Sequence, residues 1–348
     1  MTKSKGYGMK NKIMVAGNII VDYLYPITGY PERGQLTTIE DGCGKSVGGA
    51  VCNVGIDLKR LMPDTEICAL GLVGDDDSGR YALSVMEDEG VNTSLVGKKG
   101  ATSFTYVMSD KISRERTFFQ YRGANAHFSE DSFNWDDIDC DLIHIAYILL
   151  LDELDKEDRE YGTKMARLLA HAKERGIKTS IDVVSETGER FGRLVPPALR
   201  YTDYCIINEI EASRSTGIQL RAEDGALIYE NVKKVLSKLF ELGVSEWAVI
   251  HSPEGGFGMD KDGDYAECGL VYTPSGFIKG KVGAGDAFCA GVLSAAHRGL
   301  SLLDAVKLGN AAATVSLRSP GATEAMETIE ETMRICSELG FEPVKLNK

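Results

Sequence analysis

The 348-residue sequence has no apolar run long enough to cross a bilayer, which takes about 20 residues. Basic residues are in deficit, since 39 lysines and arginines stand against 52 aspartates and glutamates and the formal net charge is −13. This charge argues against nucleic acid or a membrane surface as the main partner. The lysines near the N-terminus are not followed by an apolar segment, so we predict no secretory signal and expect a cytoplasmic protein.

Residues paired for metal binding or disulfide formation are also missing. The eight cysteines are far apart, with no C-x-x-C pair, which predicts reduced thiols rather than disulfides or a zinc site. The five histidines have no H-E-x-x-H or other paired spacing, so no metal cage is expected. His144 lies within an apolar stretch and is interpreted as a buried structural histidine.

Three familiar enzyme signatures are absent. Gly42 to Ser46 resembles the end of a P-loop, but Ile39 stands where the first glycine is required. The first predicted strand leads into Gly17 to Ile20 rather than G-x-G-x-x-G, which argues against a dinucleotide site and a nicotinamide oxidoreductase. No G-x-S-x-G elbow indicates a serine hydrolase.

The sequence does contain an alternation of strands and helices. Its 43% hydrophobic and 26% charged residues are typical of a globular protein, so these elements can pack around a core. The pattern predicts strands at 12–16, 67–73, 142–150, 177–184, 204–207 and 247–250, and helices at 50–61, 78–89, 161–175, 224–242, 285–298, 301–317 and 325–339. Strands separated by long helices predict a single α/β domain with a mostly parallel sheet.

Two stretches interrupt this alternation. Residues 19–45 have no helical period, and residues 101–122 have the alternating aromatic pattern of a β-hairpin. Strand pairs inserted into a parallel core would form a small separate sheet, which can act as a lid that excludes water from a pocket. The alternative is an additional antiparallel edge on the main sheet.

A glycine turn at the start of the predicted 285–298 helix is the strongest functional signal. Gly283 and Gly285 allow the backbone to turn tightly and to approach a ligand closely. The unpaired N–H groups of a helix start can bind an anion such as phosphate. Asp286 is therefore a candidate base for a hydroxyl that attacks a bound phosphate, although it could serve only to stabilise the helix N-terminus.

Polar residues also follow predicted strands, where ligands bind in α/β sheets. Asn18 and Asp22 follow the first strand, and both can bind ligand hydroxyls. Gly48 and Gly49 precede the first helix, and Asn53 lies one turn inside it. Each also has a structural explanation as a turn, loop or helix residue.

The strand at 204–207 is followed in the same way by Asn208 and Glu211. Glu211 is a candidate ligand for magnesium through water, as that ion prefers. The alternatives are a turn-forming Asn208 and a solvated Glu211 on the helix surface.

In this order and spacing, the motifs resemble the PfkB, or ribokinase-like, family of carbohydrate kinases over about residues 12–340. Residues 48–53 resemble the family's G-G-x-x-x-N signature, residues 74–79 resemble its G-x-D-x-x-G, and residues 208–211 resemble its N-x-x-E. Residues 283–286 resemble its carboxyl-terminal signature, in which the amides form an anion hole and the aspartate is the base.

The resemblance implies a ribokinase-like three-layer sandwich of class α/β, with a mostly parallel central sheet and a small β lid. The implied division of the chain is a kinase core at 12–18, 46–100 and 126–340, a lid at 19–45 and 101–125, and a flexible tail at 1–11.

The resemblance also implies ATP and Mg²⁺ as cofactors and a homodimer formed through the lid. The implied site residues are the base Asp286; the anion hole Gly283, Ala284 and Gly285; the acceptor-binding Asn18, Asp22, Gly48, Gly49, Asn53, Tyr121 and Arg122; the nucleotide-binding Asn208, His251, Gly256 and Asn310; and Glu211 for magnesium, through water.

The sequence departs from the family pattern at two places. Gly280 stands where the family usually has an acidic residue that helps to hold a monovalent cation, so the need for such a cation is left open. Lys281 could place a positive charge near the phosphates or could be an exposed loop residue. Pro253 stands where many members have glycine in the nucleotide loop.

The implied reaction is phosphoryl transfer from ATP to a primary hydroxyl of a sugar or sugar acid. Tyr121 and Arg122 resemble the Y-R segment of fructokinase-like and ketodeoxygluconate kinase-like members, and Arg122 could bind a carboxylate. The alternatives are a nucleoside acceptor stacked on the lid aromatics, and a catalytically silent sugar or nucleotide sensor suggested by the missing acidic residue at position 280.

Overall fold

The computed structural model describes residues 10–113, 115–184, 188 and 190–344. Most of the tail predicted at 1–11 lies outside these residues. The described strands are β1 (Lys12–Gly17), β2 (Ile20–Ile27), β3 (Gly44–Gly48), β4 (Glu66–Val73), β5 (Gly97–Lys98), β6 (Phe104–Asp110), β7 (Arg116–Tyr121), β8 (Leu142–Ile148), β9 (Glu157–Asp158), β10 (Gly162–Thr163), β11 (Lys178–Val183), β12 (Tyr204–Asn208), β13 (Trp247–Ser252), β14 (Gly255–Asp260) and β15 (Tyr265–Gly269).

The described helices start with α1, which follows strand β3 of the lid. They are α1 (Ala50–Leu61), α2 (Asp77–Asp88), α3 (Lys164–Glu174), α4 (Phe191–Leu199), α5 (Glu209–Thr216), α6 (Val232–Glu241), α7 (Ala284–His297), α8 (Leu302–Ser316) and α9 (Ile329–Leu339). Within the described ranges, none of these helices combines the length and apolar character that a membrane crossing requires.

The main sheet has nine strands in the order β15-β14-β13-β12-β11-β8-β1-β4-β5. Pairing is parallel from β13 through β5, and β14 and β15 continue the sheet in antiparallel fashion as a meander. The prediction of a mostly parallel sheet is confirmed. All the predicted strands belong to it, whereas the sequence pattern did not reveal the antiparallel meander.

The central strand β1 is apolar along its length because both faces of the sheet are covered. Its residues alternate between two cores: Ile13 and Val15 pack on the side of α1 and α7, and Met14 and Ala16 pack on the side of α3. This produces three layers. His144, opposite Val15 in β8, is fully buried with its Nδ1 3.0 Å from the Ser180 hydroxyl, and burial lowers its pKa to about 3, as expected for a structural histidine.

The lid strands form a separate four-stranded sheet in the order β3-β2-β6-β7, so the alternative of an added edge on the main sheet is wrong. Strands β2 and β6 are parallel, and β3 and β7 flank them in antiparallel fashion. Strand β3 continues to Gly48, past the lid boundary predicted at 45. The other predicted boundaries stay predictions.

Several helices begin later in the sequence than predicted. The helix predicted from 161 begins at Lys164 and the one predicted from 325 begins at Ile329, because Thr163 and Thr328 cap the two helices. The helix predicted from 224 begins at 232, after a turn and a short 3₁₀ segment. Helix α4 was not predicted, since it contains two prolines, which normally end a helix. The short helix α5 was missed as well.

Two glycines allow the elements around the end of β1 to approach one another. Gly17 has φ +133°, and a Cβ there would lie 1.7 Å from the carbonyl oxygen of Ala146 in β8. Gly49 has φ +81°, and a Cβ there would lie 2.4 Å from the carbonyl oxygen of Asn18. Both contacts are with backbone atoms, which cannot rotate away as a side chain can. Glycine is therefore required at both positions.

The core also contains one carboxylate that the fold does not satisfy. Asp57 on α1 is fully buried, and neither of its side-chain oxygens has a hydrogen-bond partner among the described residues. Burial raises its pKa well above the usual value of 3.8, and the charge of Asp286 adds to this, whereas Arg60 opposes it. The neutral form of Asp57 is therefore favoured far more than in an exposed aspartate.

We predict that Gly17→Ala lowers the free energy of unfolding by more than about 3 kcal/mol, because strain and overlap with the backbone add together. Gly29→Ala is the matched control, since Gly29 has φ +98° but no atom within 4 Å of the new Cβ. It should cost only about 1–2 kcal/mol. Urea denaturation of both variants measures the difference, and equal losses would contradict the prediction.

We predict that Asp57→Ala stabilises the protein by about 1 kcal/mol at pH 7.5, because it removes an unpartnered buried group at the cost of a small cavity. The unfolded chain loses the Asp57 proton near pH 4 and the folded protein loses it only at higher pH, so the contribution of Asp57 to wild-type stability falls as pH rises above 4. The advantage of the variant should therefore grow from pH 4.5 to pH 7.5. Parallel stability curves would contradict the prediction, and the exposed Asp88→Ala on α2 is the control.

Candidate active site

The N-terminus of α7 forms a tight glycine turn at the edge of the main sheet. Gly283 precedes the helix with φ +76°, a left-handed conformation that favours glycine. A Cβ on Gly283 would lie 2.7 Å from the Cβ of Ala322, so a larger residue would also collide with the segment that covers the turn. The amides of Ala284, Gly285 and Asp286 occupy the first turn, where backbone N–H groups have no partner within the helix. This is the geometry of an anion site.

Asp286 lies in this first turn and is buried, with 7% of its surface exposed. Its Oδ2 accepts a hydrogen bond of 2.8 Å from the side-chain amide of Asn53, and its Oδ1 accepts one of 2.5 Å from the hydroxyl of Tyr147. Burial raises the pKa of Asp286, while the hydrogen bonds from Tyr147 and then Asn53 lower it. The structure thus joins two predicted site residues, Asp286 and Asn53, that are far apart in sequence. Tyr147 was not predicted.

A second carboxylate lies near Asp286 that the sequence analysis also missed. Asp182 stands close to the carboxyl end of β11 and is buried, and its Oδ1 accepts the amide hydrogen of Val183. Burial raises its pKa well above the usual value, and the charges of Glu211 and Asp286 raise it further. Asp182 occupies the same strand-end position that identified Asn18 and Asn208, so the same rule could have found it.

The residues predicted to bind the acceptor are connected to Asn53 through Gly48 and Gly49. Asp22 in β2 lies opposite Thr105 in β6, and a Cβ on Gly48 would be 2.5 Å from the Asp22 Oδ2. Burial raises the pKa of Asp22, and a hydrogen bond with Thr105 lowers it. Gly49 touches the carbonyl of Asn18 and leads directly into the helix that carries Asn53. These contacts connect Asp22 to Asp286.

Two amide side chains on this side retain unused hydrogen-bonding capacity. The Nδ2 of Asn18 and the Oδ1 of Asn53 are buried and have no partner among the described residues. One is a donor and the other an acceptor, and each suits a ligand hydroxyl, which can both accept and donate. Buried polar atoms are normally paired, which makes these two atoms notable.

Arg122 and Tyr121 lie at the end of the lid strand β7. The Nη1 of Arg122 donates to the carbonyl of Leu150, 3.0 Å away, which uses one of the five N–H donors of its guanidinium group. The ring of Tyr121 is 5.1 Å from that of Phe104 and is 47% exposed. Roles of Arg122 and Tyr121 in acceptor binding stay predictions.

The residues predicted to bind nucleotide all have structural contacts. Asn208 caps α5 and forms a capping box with Glu211. His251 lies with its ring 5.0 Å from that of Phe288, and burial lowers its pKa to about 4, so it is neutral. The Nδ2 of Asn310 donates to the carbonyls of Cys268 and Gly269. A Cβ on Gly256 would be 2.8 Å from Val306. Their roles toward a nucleotide stay predictions.

The described residues contain no group of three His, Cys, Asp or Glu side chains arranged to hold a metal ion. Glu211 is nonetheless buried, with 4% of its surface exposed, and its charge raises the pKa of the buried Asp182. Two nearby buried carboxylates fit a cation held mainly by phosphates and water. All eight cysteines are free in the structure, and only Cys43 is exposed.

The backbone packed against Gly280 explains why this position lacks the acidic residue that is usual in the family pattern. A Cβ on Gly280 would lie 2.7 Å from the Cα of Pro320 and from the carbonyl oxygen of Ser319. An acidic side chain at position 280 would therefore displace this backbone. Lys281, the next residue, is exposed.

Two kinases are similar to this chain over most of its length. A 5-dehydro-2-deoxygluconokinase from Geobacillus thermodenitrificans is 24% identical over 303 residues, which are 82% of this chain and 83% of the relative. A nucleoside kinase from Methanocaldococcus jannaschii is 24% identical over 331 residues, which are 94% and 97% of the two chains.

The same fold occurs in solved structures. The structure of Arabidopsis thaliana ribokinase complexed with ribose and ATP matches with a TM-score of 0.76 at 19% identity, covering 95% of this chain and 99% of the other. The ribokinase-like fold predicted from the sequence is thereby confirmed. A family model described as pfkB family carbohydrate kinase matches residues 10–329, which shows that the chain belongs to the pfkB family of carbohydrate kinases.

Proposed function

We propose that this family member transfers the γ-phosphoryl group of ATP to a primary hydroxyl of a sugar or sugar acid, with Asp286 as the base. The observation that carries the proposal is the contact of Asp286 with Asn53. It brings the carboxylate at the glycine turn next to the residues that suit acceptor hydroxyls. A base must lie within hydrogen-bond reach of the proton that it removes, and this arrangement permits such reach.

The glycine turn supplies the electrostatic part of the proposed mechanism. The amides of Ala284, Gly285 and Asp286 stabilise charge that develops on the transferring phosphoryl group, as fixed donors do in a water-poor site. Asp286 accepts the proton of the attacking hydroxyl. Since phosphoryl transfer depends mainly on positioning and charge stabilisation, a single base and an anion site are sufficient machinery from the protein.

The proposed magnesium site involves Glu211 and Asp182, with Asn208 orienting Glu211 through the capping box. Bound Mg²⁺ would neutralise charge on the donor phosphates. On the nucleotide side, we assign His251, Gly256 and Asn310 to the walls of the adenosine site. No monovalent cation is assigned to Gly280, because Pro320 fills the space beside it. A cytoplasmic location belongs to the same proposal.

The acceptor is proposed to bind between the lid and α1. Asp22, Asn18 and Asn53 would bind hydroxyl groups, and the remaining donors of Arg122 would bind a carboxylate if the acceptor is a sugar acid. A relative named as a 5-dehydro-2-deoxygluconokinase is consistent with this acceptor class.

A nucleoside acceptor is the second candidate. The rings of Tyr23, Phe104, Tyr106 and Tyr121 form a continuous cluster on the lid, with centroid distances from 4.8 to 6.2 Å. Aromatic faces of this kind can stack on a base. A relative named as a nucleoside kinase supports this alternative.

We predict ADP release in a screen of ketoses, aldoses, sugar acids and nucleosides with Mg²⁺-ATP, equal with and without potassium. Asp286→Asn should lower kcat for the accepted substrate by at least about 100-fold, because it removes the base. It should retain folding and binding of an ATP analogue. The control is Asp262→Asn in an exposed turn. Turnover near the wild-type rate in Asp286→Asn would exclude the base assignment, and ligand binding without turnover by any acceptor would favour the sensor.

We also propose a homodimer formed through the lid, supported by the exposed edge strand β7. Phe118 and Phe119 are 64% and 55% exposed, and β7 has an unpaired edge in the described sheet. Phe118→Glu should convert the dimer to a monomer in light scattering. The control is Ile112→Glu in the hairpin turn, where the side chain is 75% exposed but lies outside the edge strand. A monomeric wild-type protein would contradict the proposal.

A further inference from the structure

Tyr147 contacts the carboxylate that the proposed mechanism uses as base. It lies near the carboxyl end of β8, and its hydroxyl donates a hydrogen bond of 2.5 Å to the Oδ1 of Asp286. Burial raises the pKa of Tyr147 well above its usual value, and the charge of Asp286 raises it further. The hydroxyl therefore keeps its proton and acts as a donor, not as a second base.

The backbone on the N-terminal side of Tyr147 is held against β1. The carbonyl of Ala146 lies where Gly17 would carry a Cβ, and the same carbonyl accepts the amide hydrogen of Asn18 at 3.4 Å. The close approach that glycine at position 17 permits thus determines the position of the peptide that joins Ala146 to Tyr147. Any side chain at that position would displace the strand end that carries Tyr147.

The backbone on the C-terminal side is held as firmly. The amide of Leu150 donates to the carbonyl of Tyr147 at 3.1 Å, and the carbonyl of Leu150 accepts from Arg122 at 3.0 Å. The amide of Leu149, which has φ +81°, donates to the Oδ1 of Asp155 at 3.0 Å. Fixed backbone on both sides limits the positions that the Tyr147 ring can adopt.

The surroundings of Asp286 are otherwise acidic. Asp57 faces it from α1 and Asp182 faces it from β11, with Glu211 of α5 beyond, while Cys289 is its titratable neighbour on α7 itself. No Lys or Arg forms a hydrogen bond or ion pair with Asp286 in the described part of the chain. The donors that support its charged form are therefore the side chains of Asn53 and Tyr147, together with the helix N-terminus.

We infer that Tyr147 is a positioning residue for the base: with Asn53 it holds both oxygens of the Asp286 carboxylate in one orientation and favours the ionised form. An ionised carboxylate has about four lone-pair directions, so two remain available for the acceptor hydroxyl. The inference rests on the proposed function, since it assumes that Asp286 is the base, but the contact itself can be tested without turnover.

Tyr147→Phe should raise the pKa of Asp286, because it removes a hydrogen bond to the charged form. The acid limb of the kcat profile should move to higher pH by about one unit, so that kcat on that limb falls by up to about tenfold. The KM for ATP should stay within twofold. A profile and kcat equal to those of the wild type would overturn the inference. The control is Tyr204→Phe, which removes a hydroxyl from the opposite end of the sheet.

A titration of the ligand-free protein separates this inference from the proposed function. The Asp286 carboxyl carbon is followed by NMR, with its signal assigned by its absence in Asp286→Asn. Tyr147→Phe should move its midpoint upward. 3-Fluorotyrosine at position 147, a stronger donor of nearly the same shape, should move it downward even if the phenylalanine variant folds poorly. Unchanged midpoints would overturn the inference, whereas shifted midpoints with no turnover by any protein would count only against the kinase proposal.

Discussion

The organisation of this site depends on three chain segments meeting at the carboxyl edge of the sheet at distances that exclude any side chain. Gly17 lets the end of β8 approach β1, and Gly49 lets the start of α1 approach the residue after β1. One contact directs Tyr147 and the other directs Asn53, and both side chains reach Asp286. A carboxylate that must be rigid before substrate arrives is better held from two rigid elements than from a loop.

The arrangement carries an electrostatic cost that a purely structural core would avoid. Asp57, Asp182 and Asp286 are all buried, burial raises the pKa of each, and the charge of Asp286 raises the pKa of the other two further. Such clusters of perturbed carboxylates are typical of functional sites, where stability is sacrificed for chemistry. Asp286 differs from the other two because it accepts two side-chain hydrogen bonds, which oppose the effect of burial and favour its charged form.

Local signals in the sequence were sufficient to predict the fold and to single out Asp286 and Asn53, which the structure joins by a hydrogen bond. The glycine turn before Asp286 and the glycine pair before Asn53 impose backbone geometry that few residues permit, so their meaning can be recognised without coordinates. Tyr147 could not be recognised so directly. Tyrosine in an apolar strand resembles any core aromatic, and its partner is 139 residues away. A long-range hydrogen bond of this kind leaves no periodic trace in the sequence.

The residues proposed to bind the acceptor are held less rigidly by the core than the proposed base Asp286, for a related physical reason. Asp22 and Arg122 belong to the lid, whose strands pair β2 with β6 across the intervening core segments, so their positions depend on how the lid lies over the core. The proposed base and the glycine turn belong to α7, which is packed into the core along its whole length. Relatives at 24% identity differ in acceptor by name, since one is a 5-dehydro-2-deoxygluconokinase and another a nucleoside kinase, so a shared family does not determine the acceptor. In the proposed mechanism, the rigid core carries the chemistry and the lid sheet determines the choice of acceptor.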